Sequence, residues 1–163
     1  MSEPLPTEYR PCAGVMLLNR DGQVFVGQRI DSSVEAWQMP QGGIDPGEEA
    51  LAAAIRELGE EAGVAPHHIE LVAEAGETLL YDLPEELIGK LWGGRWRGQA
   101  QRWFMFRFLG TDADINIETD HPEFREWCWI APERLPHVIV PFKRALYERL
   151  LVLFADQLAA EAG

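Results

Sequence analysis

The spacing of hydrophobic positions changes several times along the chain, and each change predicts an element. Residues 13–18 (Ala-Gly-Val-Met-Leu-Leu) and 24–28 (Val-Phe-Val-Gly-Gln) are short apolar runs. Asn19, Arg20, Asp21 and Gly22 lie between them, a turn composition, so the runs read as two strands. Trp37 to Met39 reads as a short extended piece ending at Pro40. A glycine loop follows, then a helix from Glu48 to Ala62 that Gly63 stops. Residues 68–73, 77–81, 102–108 and 127–130 read as strands, the 102–108 stretch most strongly because it is aromatic. From Pro141 to Ala160, Phe142, Leu146, Leu150 and Leu153 recur at helical spacing, and Pro141 suits a first turn. Mostly strands with two helices set apart from them predict an α+β fold class. No repeat or linker divides the 163 residues, so 1–163 reads as one domain.

On a helical projection of 48–62, Leu51, Ile55, Leu58 and Ala62 share an arc, the expected buried face. Glu57, Glu60 and Glu61 fall on a separate arc. Like charges three and four residues apart destabilise a helix. Either that face is simply solvated, or a cation belongs there. Gathered oxygen ligands suit a hard cation such as Mg²⁺. Arg56 stands beside Glu57 and is placed to orient an acid. Gly59 costs ~1 kcal/mol against alanine in a helix interior, which suggests a close approach or a bend.

Charge and composition narrow the picture. The formal charge is −13, which argues against non-specific nucleic-acid binding by the whole surface. Yet Leu87 to Thr111 contains no acid, and carries Lys90, Arg95, Arg97, Arg102 and Arg107 among Trp92, Trp96, Trp103, Phe104, Phe106 and Phe108. This stretch is either a strand pair with arginines on its wet face or the wall of an anion-binding, aromatic pocket. Cys12 and Cys128 have apolar or aromatic neighbours and read as buried thiols in a reducing compartment. No apolar run is long enough to span a bilayer, and residues 1–9 lack a secretory signal. A cytoplasmic location is therefore expected. His67, His68, His121 and His137 have no partner motif and read as surface or capping residues.

Read as a whole, the glutamate helix and its approach have a fixed grammar. Gly42 is followed after five residues by Glu48, and after seven more by Arg56-Glu57-Leu58-Gly59-Glu60-Glu61-Ala62-Gly63-Val64. This resembles the Nudix box at every fixed position. Further segments resemble one branch, the bacterial RNA pyrophosphohydrolases and the related (di)nucleoside polyphosphate hydrolases. They are Tyr9-Arg10-Pro11, Trp37 to Gly43, Tyr81-Asp82-Leu83-Pro84, Gln101-Arg102-Trp103-Phe104, Pro122-Glu123-Phe124 and Phe142-Lys143-Arg144.

The resemblance implies the Nudix α/β/α sandwich, a mixed sheet between helices. It implies a metal-dependent pyrophosphohydrolase that cleaves phosphoanhydrides by water attack. A dedicated diadenosine tetraphosphate hydrolase is the alternative, and a non-catalytic nucleotide-binding module a third reading. Glu57, Glu60, Glu61 and Glu123 would be catalytic and hold Mg²⁺, with Mn²⁺ or another divalent cation as the alternative, and Gly42 would approach the metal or phosphates. Arg10, Arg29, Tyr81, Phe142 and Lys143 would bind a nucleotide or the 5′-triphosphorylated end of RNA. Core packing is the competing role for Tyr81 and Phe142. Gly43, Glu48 and Arg56 would support the site. The sequence as it stands ends without the basic tail that RNA pyrophosphohydrolases often carry, and residues 91–101 resemble a loop of diadenosine tetraphosphate hydrolases.

Overall fold

The computed structural model describes residues 8–31, 34–88, 90 and 94–162. Its centre is the parallel pair of β1 (Tyr9–Leu18) and β7 (Gly98–Phe108), in register from Tyr9↔Gly98 to Leu18↔Arg107. β1 is buried along seven consecutive residues, which a strand achieves only when both faces are covered. β2 (Val24–Arg29) and β3 (Trp37–Gln38) extend the sheet beyond β1, and β5 (Ile69–Glu74) extends it beyond β7. β4 (Gln41–Gly43) also pairs with β1, β6 (Leu79–Asp82) with β7, and β8 (Phe124–Ile130) with β2. Every pairing except β1–β7 is antiparallel, so the sheet is mixed.

Alternation along the strands feeds two cores. Ala13, Val15, Leu17, Phe25, Phe104 and Phe106 pack with Ala50, Ala53, Ala54, Leu58 and Ala62 of α1 (Ala50–Ala62). Met16, Leu18, Val26, Trp103 and Met105 pack on the other face with Leu135, Leu146, Tyr147, Leu150 and Phe154. Those residues come from α2 (Leu135–Val138), α3 (Arg144–Leu153) and the residue after it. The result is the sandwich that the resemblance implied.

Several sequence expectations need correction. The glycine loop before α1 is the short strand β4, because Gly42 and Gly43 pair with Ala13 and Cys12. The carboxy-terminal helix is interrupted at Phe154, a buried residue off helical geometry at φ −102°, before α4 (Ala155–Ala162). Helix α1 begins two residues later than expected, and Gly63 ends it in the left-handed conformation with φ 67°. The buried stripe of α1 is also rotated. Leu51 and Ile55 are only half-buried, while the small Ala50, Ala53 and Ala54 face the sheet. Ala54, Leu58 and Glu61 follow one another at helical spacing on that stripe, so Glu61 is buried rather than turned outward.

The basic stretch also resolves, for its described residues, toward the plainer alternative. Arg97 pairs with Asp82, Arg102 with Glu74, and Arg107 with Glu70 and Glu161. Trp103, Phe104, Phe106 and Phe108 fill the cores. Trp92 lies outside the described residues, as does part of the 91–101 loop. Of the two thiols, Cys12 is buried and Cys128 half-buried. No helix among the described residues is long and apolar enough to cross a membrane.

Candidate active site

The carboxylates are held by one arginine. Arg56 Nε donates to Glu48 Oε2 at 2.9 Å and its Nη2 to Glu48 Oε1 at 2.8 Å. Nη2 also donates to the Gly43 carbonyl at 2.9 Å, tying the helix to β4. Nη1 donates to Glu57 Oε1 at 2.8 Å and to Glu60 Oε2 at 3.3 Å. A planar fork with several donors suits this task in a way that lysine does not. The guanidinium, with help from the Asp45 N–H, holds the Glu48 carboxyl down to about 2.

Three glutamates on one helical turn occupy three environments. The Glu60 side chain is 58% exposed, that of Glu57 13%, and Glu61 as a residue only 3%. Burial pushes the Glu61 carboxyl well above the usual range, and the neighbouring Glu57 and Glu123 push it further. Its Oε2 accepts from the Gln41 N–H at 3.0 Å. Glu57 is raised by the same causes in milder form: burial, then Glu60 and Glu123, against the opposing pull of Arg56. Glu123 precedes β8, and its carbonyl accepts from the Ile30 N–H at 2.9 Å. Its carboxylate lies 3.6 Å from Arg29 Nη2.

These groups open into a cleft of about 620 Å³. Arg10, Arg29, Gly42, Gly43, Glu57, Glu60, Glu61, Tyr81, Glu123, Phe142 and Lys143 all line it. The structure therefore brings together every residue expected to hold metal or substrate, while Glu48 and Arg56 do not line this cleft. Glycine at β4 leaves room for the tips of two cleft side chains. A Cβ on Gly42 would fall into the Glu57 carboxylate, and one on Gly43 would strike the Arg10 guanidinium. Gly59 has no such neighbour, since a Cβ there would meet only the Val64 carbonyl at 3.6 Å. The close approach expected at Gly59 is thus not seen among the described residues.

The other side of the cleft is aromatic and cationic. Tyr81 is buried and Phe142 exposed, with ring centroids 6.1 Å apart. Lys143 Nζ sits 5.1 Å from the Tyr81 ring centre, and burial followed by the charge of Arg29 lowers its amine to about 8. Arg29 is held bidentately by Asp31 at 2.7 and 2.8 Å. Asp31, Gln38, Gln41 and Gln99 also line the cleft, and sequence reasoning missed them. The available signal for Gln99 was a glutamine alternating with Gln101 on an otherwise apolar, aromatic strand.

The donor set fits a hard divalent cation. It is all oxygen and anionic, and at Glu57 and Glu61 burial and the neighbouring carboxylates raise the pKa in a way that a nearby cation would relieve. Among the described residues, no three acidic, histidine or cysteine side chains already converge on one point.

Comparison with known proteins decides the family. The family model described as NUDIX domain matches residues 8–150. The chain belongs to the Nudix family. It is 61% identical over 146 residues to a Sphingopyxis alaskensis protein named RNA pyrophosphohydrolase, covering 90% of this chain and 92% of that one. A Cereibacter sphaeroides protein of the same name is 55% identical over 157 residues, covering 96% and 97%. Among solved structures, the C. elegans Ap4A hydrolase binary complex matches with TM-score 0.63 at 20% identity, covering 89% and 98%. The E. coli dihydroneopterin triphosphate pyrophosphohydrolase matches with TM-score 0.65 at 20% identity, covering 90% and 99%. At that identity the structural likeness speaks for the fold alone.

Proposed function

We propose that this Nudix hydrolase is a divalent-cation-dependent RNA pyrophosphohydrolase. In this reading water attacks a phosphorus of the 5′-triphosphate, the anhydride P–O bond breaks, and pyrophosphate leaves a 5′-monophosphorylated RNA. The observation that carries the reading is the meeting, in one cleft, of four glutamates, three cationic side chains and an exposed aromatic ring. The relatives named RNA pyrophosphohydrolase support RNA as the substrate class.

Glu57, Glu60, Glu61 and Glu123 would hold the cation, Mg²⁺ in the first instance, with the Gly42 backbone close by. When bound, such an ion neutralises phosphate charge and acidifies water. The chain's own groups do the rest. Arg10 and Arg29 pair with phosphate oxygens, for which the guanidinium fork is suited. Lys143 adds a point charge beside the aromatic wall, where Phe142 offers a face for stacking a base. Glu57 and Glu60 accept hydrogen bonds from Arg56 and Glu61 from the Gln41 N–H, whereas the Glu123 carboxylate is held, among the described residues, only by a longer ion pair, 3.6 Å from Arg29 Nη2, so we assign the water's proton to Glu123.

The test is a time course with 5′-triphosphorylated oligoribonucleotide and Mg²⁺, following pyrophosphate release and the monophosphorylated product. Glu60→Gln should lower kcat by orders of magnitude at unchanged Tm, because its side chain is largely outside the core. No turnover of RNA ends at any metal concentration would refute the reading. A large kcat/KM advantage for diadenosine tetraphosphate would replace it with the dinucleotide alternative.

A further inference from the structure

Outside the box, β7 carries three buried residues that alternate along one face: Gln99, Gln101 and Trp103. Trp103 Nε1 donates to Gln101 Oε1 at 2.8 Å, and Gln101 Nε2 donates to Gln99 Oε1 at 2.8 Å. An indole N–H can only donate. That single constraint orients both amides. Gln101 must meet the indole with its oxygen, so it offers its amino group to Gln99, whose oxygen is then engaged. The Gln99 amino group is left at the end of the chain, in a residue that lines the cleft. Among the described residues nothing accepts a hydrogen bond from it.

Strand register gives this amide a place among the substrate groups. Gln99 lies opposite Arg10 on β1 and opposite Tyr81 on β6. Tyr81 in turn packs near Phe142 and Lys143. A second cleft amide, Gln38, is more than nine-tenths buried, and its Nε2 has no partner among the described residues. Beside the aromatic wall, then, Gln99 and Lys143 offer donors, and Gln38 adds an unpaired amide elsewhere in the cleft lining. Gln41, with an unpaired Oε1, belongs to the carboxylate side, next to Glu61.

We propose that Gln99 determines base specificity, its amino group held outward by the Trp103–Gln101–Gln99 chain and donating to the edge of a base stacked at Phe142. A fixed donor favours bases that present a carbonyl acceptor, guanine O6 or uracil O4, over adenine and cytosine, which present an amino group there. Glutamine in solution flips freely and discriminates nothing; the indole removes that freedom. This assignment rests on the reading of the substrate as 5′-triphosphorylated RNA.

The test compares kcat/KM on 5′-triphosphorylated oligoribonucleotides that differ only as G against A, or U against C, at the first two positions. The parent should prefer the carbonyl bases by roughly three- to tenfold, the worth of one neutral hydrogen bond. Gln99→Leu should bring the ratio to about one. Gln99→Glu keeps an acceptor for Gln101 but presents an oxygen outward, so the ratio should invert even as all rates fall from the added charge. Trp103→Phe releases both amides and should also bring the ratio toward one. A purely structural role would lower Tm and slow every substrate equally, leaving the ratio unmoved, and would overturn the assignment. A parent that hydrolyses all these ends without preference also overturns it. A parent that hydrolyses none overturns the substrate reading itself.

Discussion

Gly42→Ala isolates the position of one carboxylate from everything else in the fold. Gly42 sits on β4 opposite Ala13, and its φ is not in the positive range that glycine alone favours. Alanine is therefore compatible with the backbone, and what it lacks is room. Its Cβ would lie inside van der Waals contact of the Glu57 carboxylate. Restoring a normal separation of ~3.5 Å moves that carboxylate by on the order of 1 Å. Displacement of a reacting or metal-holding group by that much costs about 10²-fold in rate, or ~2.7 kcal/mol of barrier. Stability should move far less. The pair at stake is Glu57 with Arg56 at 2.8 Å, which remains partly solvated, and such pairs contribute ~0–1 kcal/mol. For a chain of this size even the upper limit is a Tm shift of only about 2–4 °C. Gly59→Ala is the internal control. Its Cβ has ordinary clearance, so it should gain ~0.5–1 kcal/mol as a helix-interior replacement and keep the rate within about twofold. The assay is initial rate on triphosphorylated RNA at saturating Mg²⁺, beside thermal melts of both variants. If Gly42→Ala turns over like the parent, Glu57 is not needed where the structure places it.

Three further outcomes follow from the same geometry. Leu58→Ala should lose ~2–5 kcal/mol in urea unfolding, because Leu58 is fully buried against the sheet; a parent-like midpoint would mean the packed face of α1 is misassigned. Glu48 has a depressed pKa, so its stabilising contribution is full above the ordinary carboxylate value and disappears as pH falls from ~4.5 toward about 2. Glu48→Gln should therefore melt below the parent at neutral pH, with the gap closing across that acid window, and a gap independent of pH would show that the charge is not its source. Finally, the cleft lining sets Arg10, Arg29 and Lys143 against Asp31, Glu57, Glu60, Glu61 and Glu123, a formal −2. In EDTA, binding of a non-hydrolysable nucleoside triphosphate should strengthen as salt screens this repulsion, whereas in saturating Mg²⁺ it should weaken with salt. The same slope in both conditions would contradict a cation-gated cleft.

Much of this architecture was legible in local pattern. The period-2 and period-3.6 runs located the main strands and α1, and Gly63 marked the helix end. What failed had physical causes. The arc drawn through Leu51, Ile55, Leu58 and Ala62 weighted large side chains, whereas the sheet selected the small ones, because alanines let the helix approach closely. Glu61 was placed outward because a carboxylate in a buried stripe violates the ordinary rule for cores. The break at Phe154 left no glycine or proline signal. The arginines of the basic stretch seemed available for a ligand, and only the fold, through neighbouring strands and the end of α4, revealed that Asp82, Glu74, Glu70 and Glu161 pair with three of them. The cations that do face the cleft come from β1, β2 and the turn before α3, positions that nothing local connects.

The burial of Glu61 ties stability to chemistry. A helix that packs on a sheet must commit one stripe to the interior, and here the stripe Ala54–Leu58–Glu61 ends in an acid. Glu60, one residue earlier, projects to solvent at no such cost, and Glu57 lies between the two extremes. One helical turn thus grades three identical side chains by depth. The deepest is the one whose ionised form is most penalised by the protein, through burial and through Glu57 and Glu123. It is therefore also the one that gains most from a cation brought alongside, since a buried charge gains more from a close counter-charge than an exposed one does. The local rule broken at Glu61 is the kind of violation expected where function outweighs packing. Replacing Glu61 with leucine should extend the apolar stripe and raise Tm in EDTA, and, if Glu61 holds the proposed cation, it should abolish any rise of Tm on adding Mg²⁺ that the parent shows.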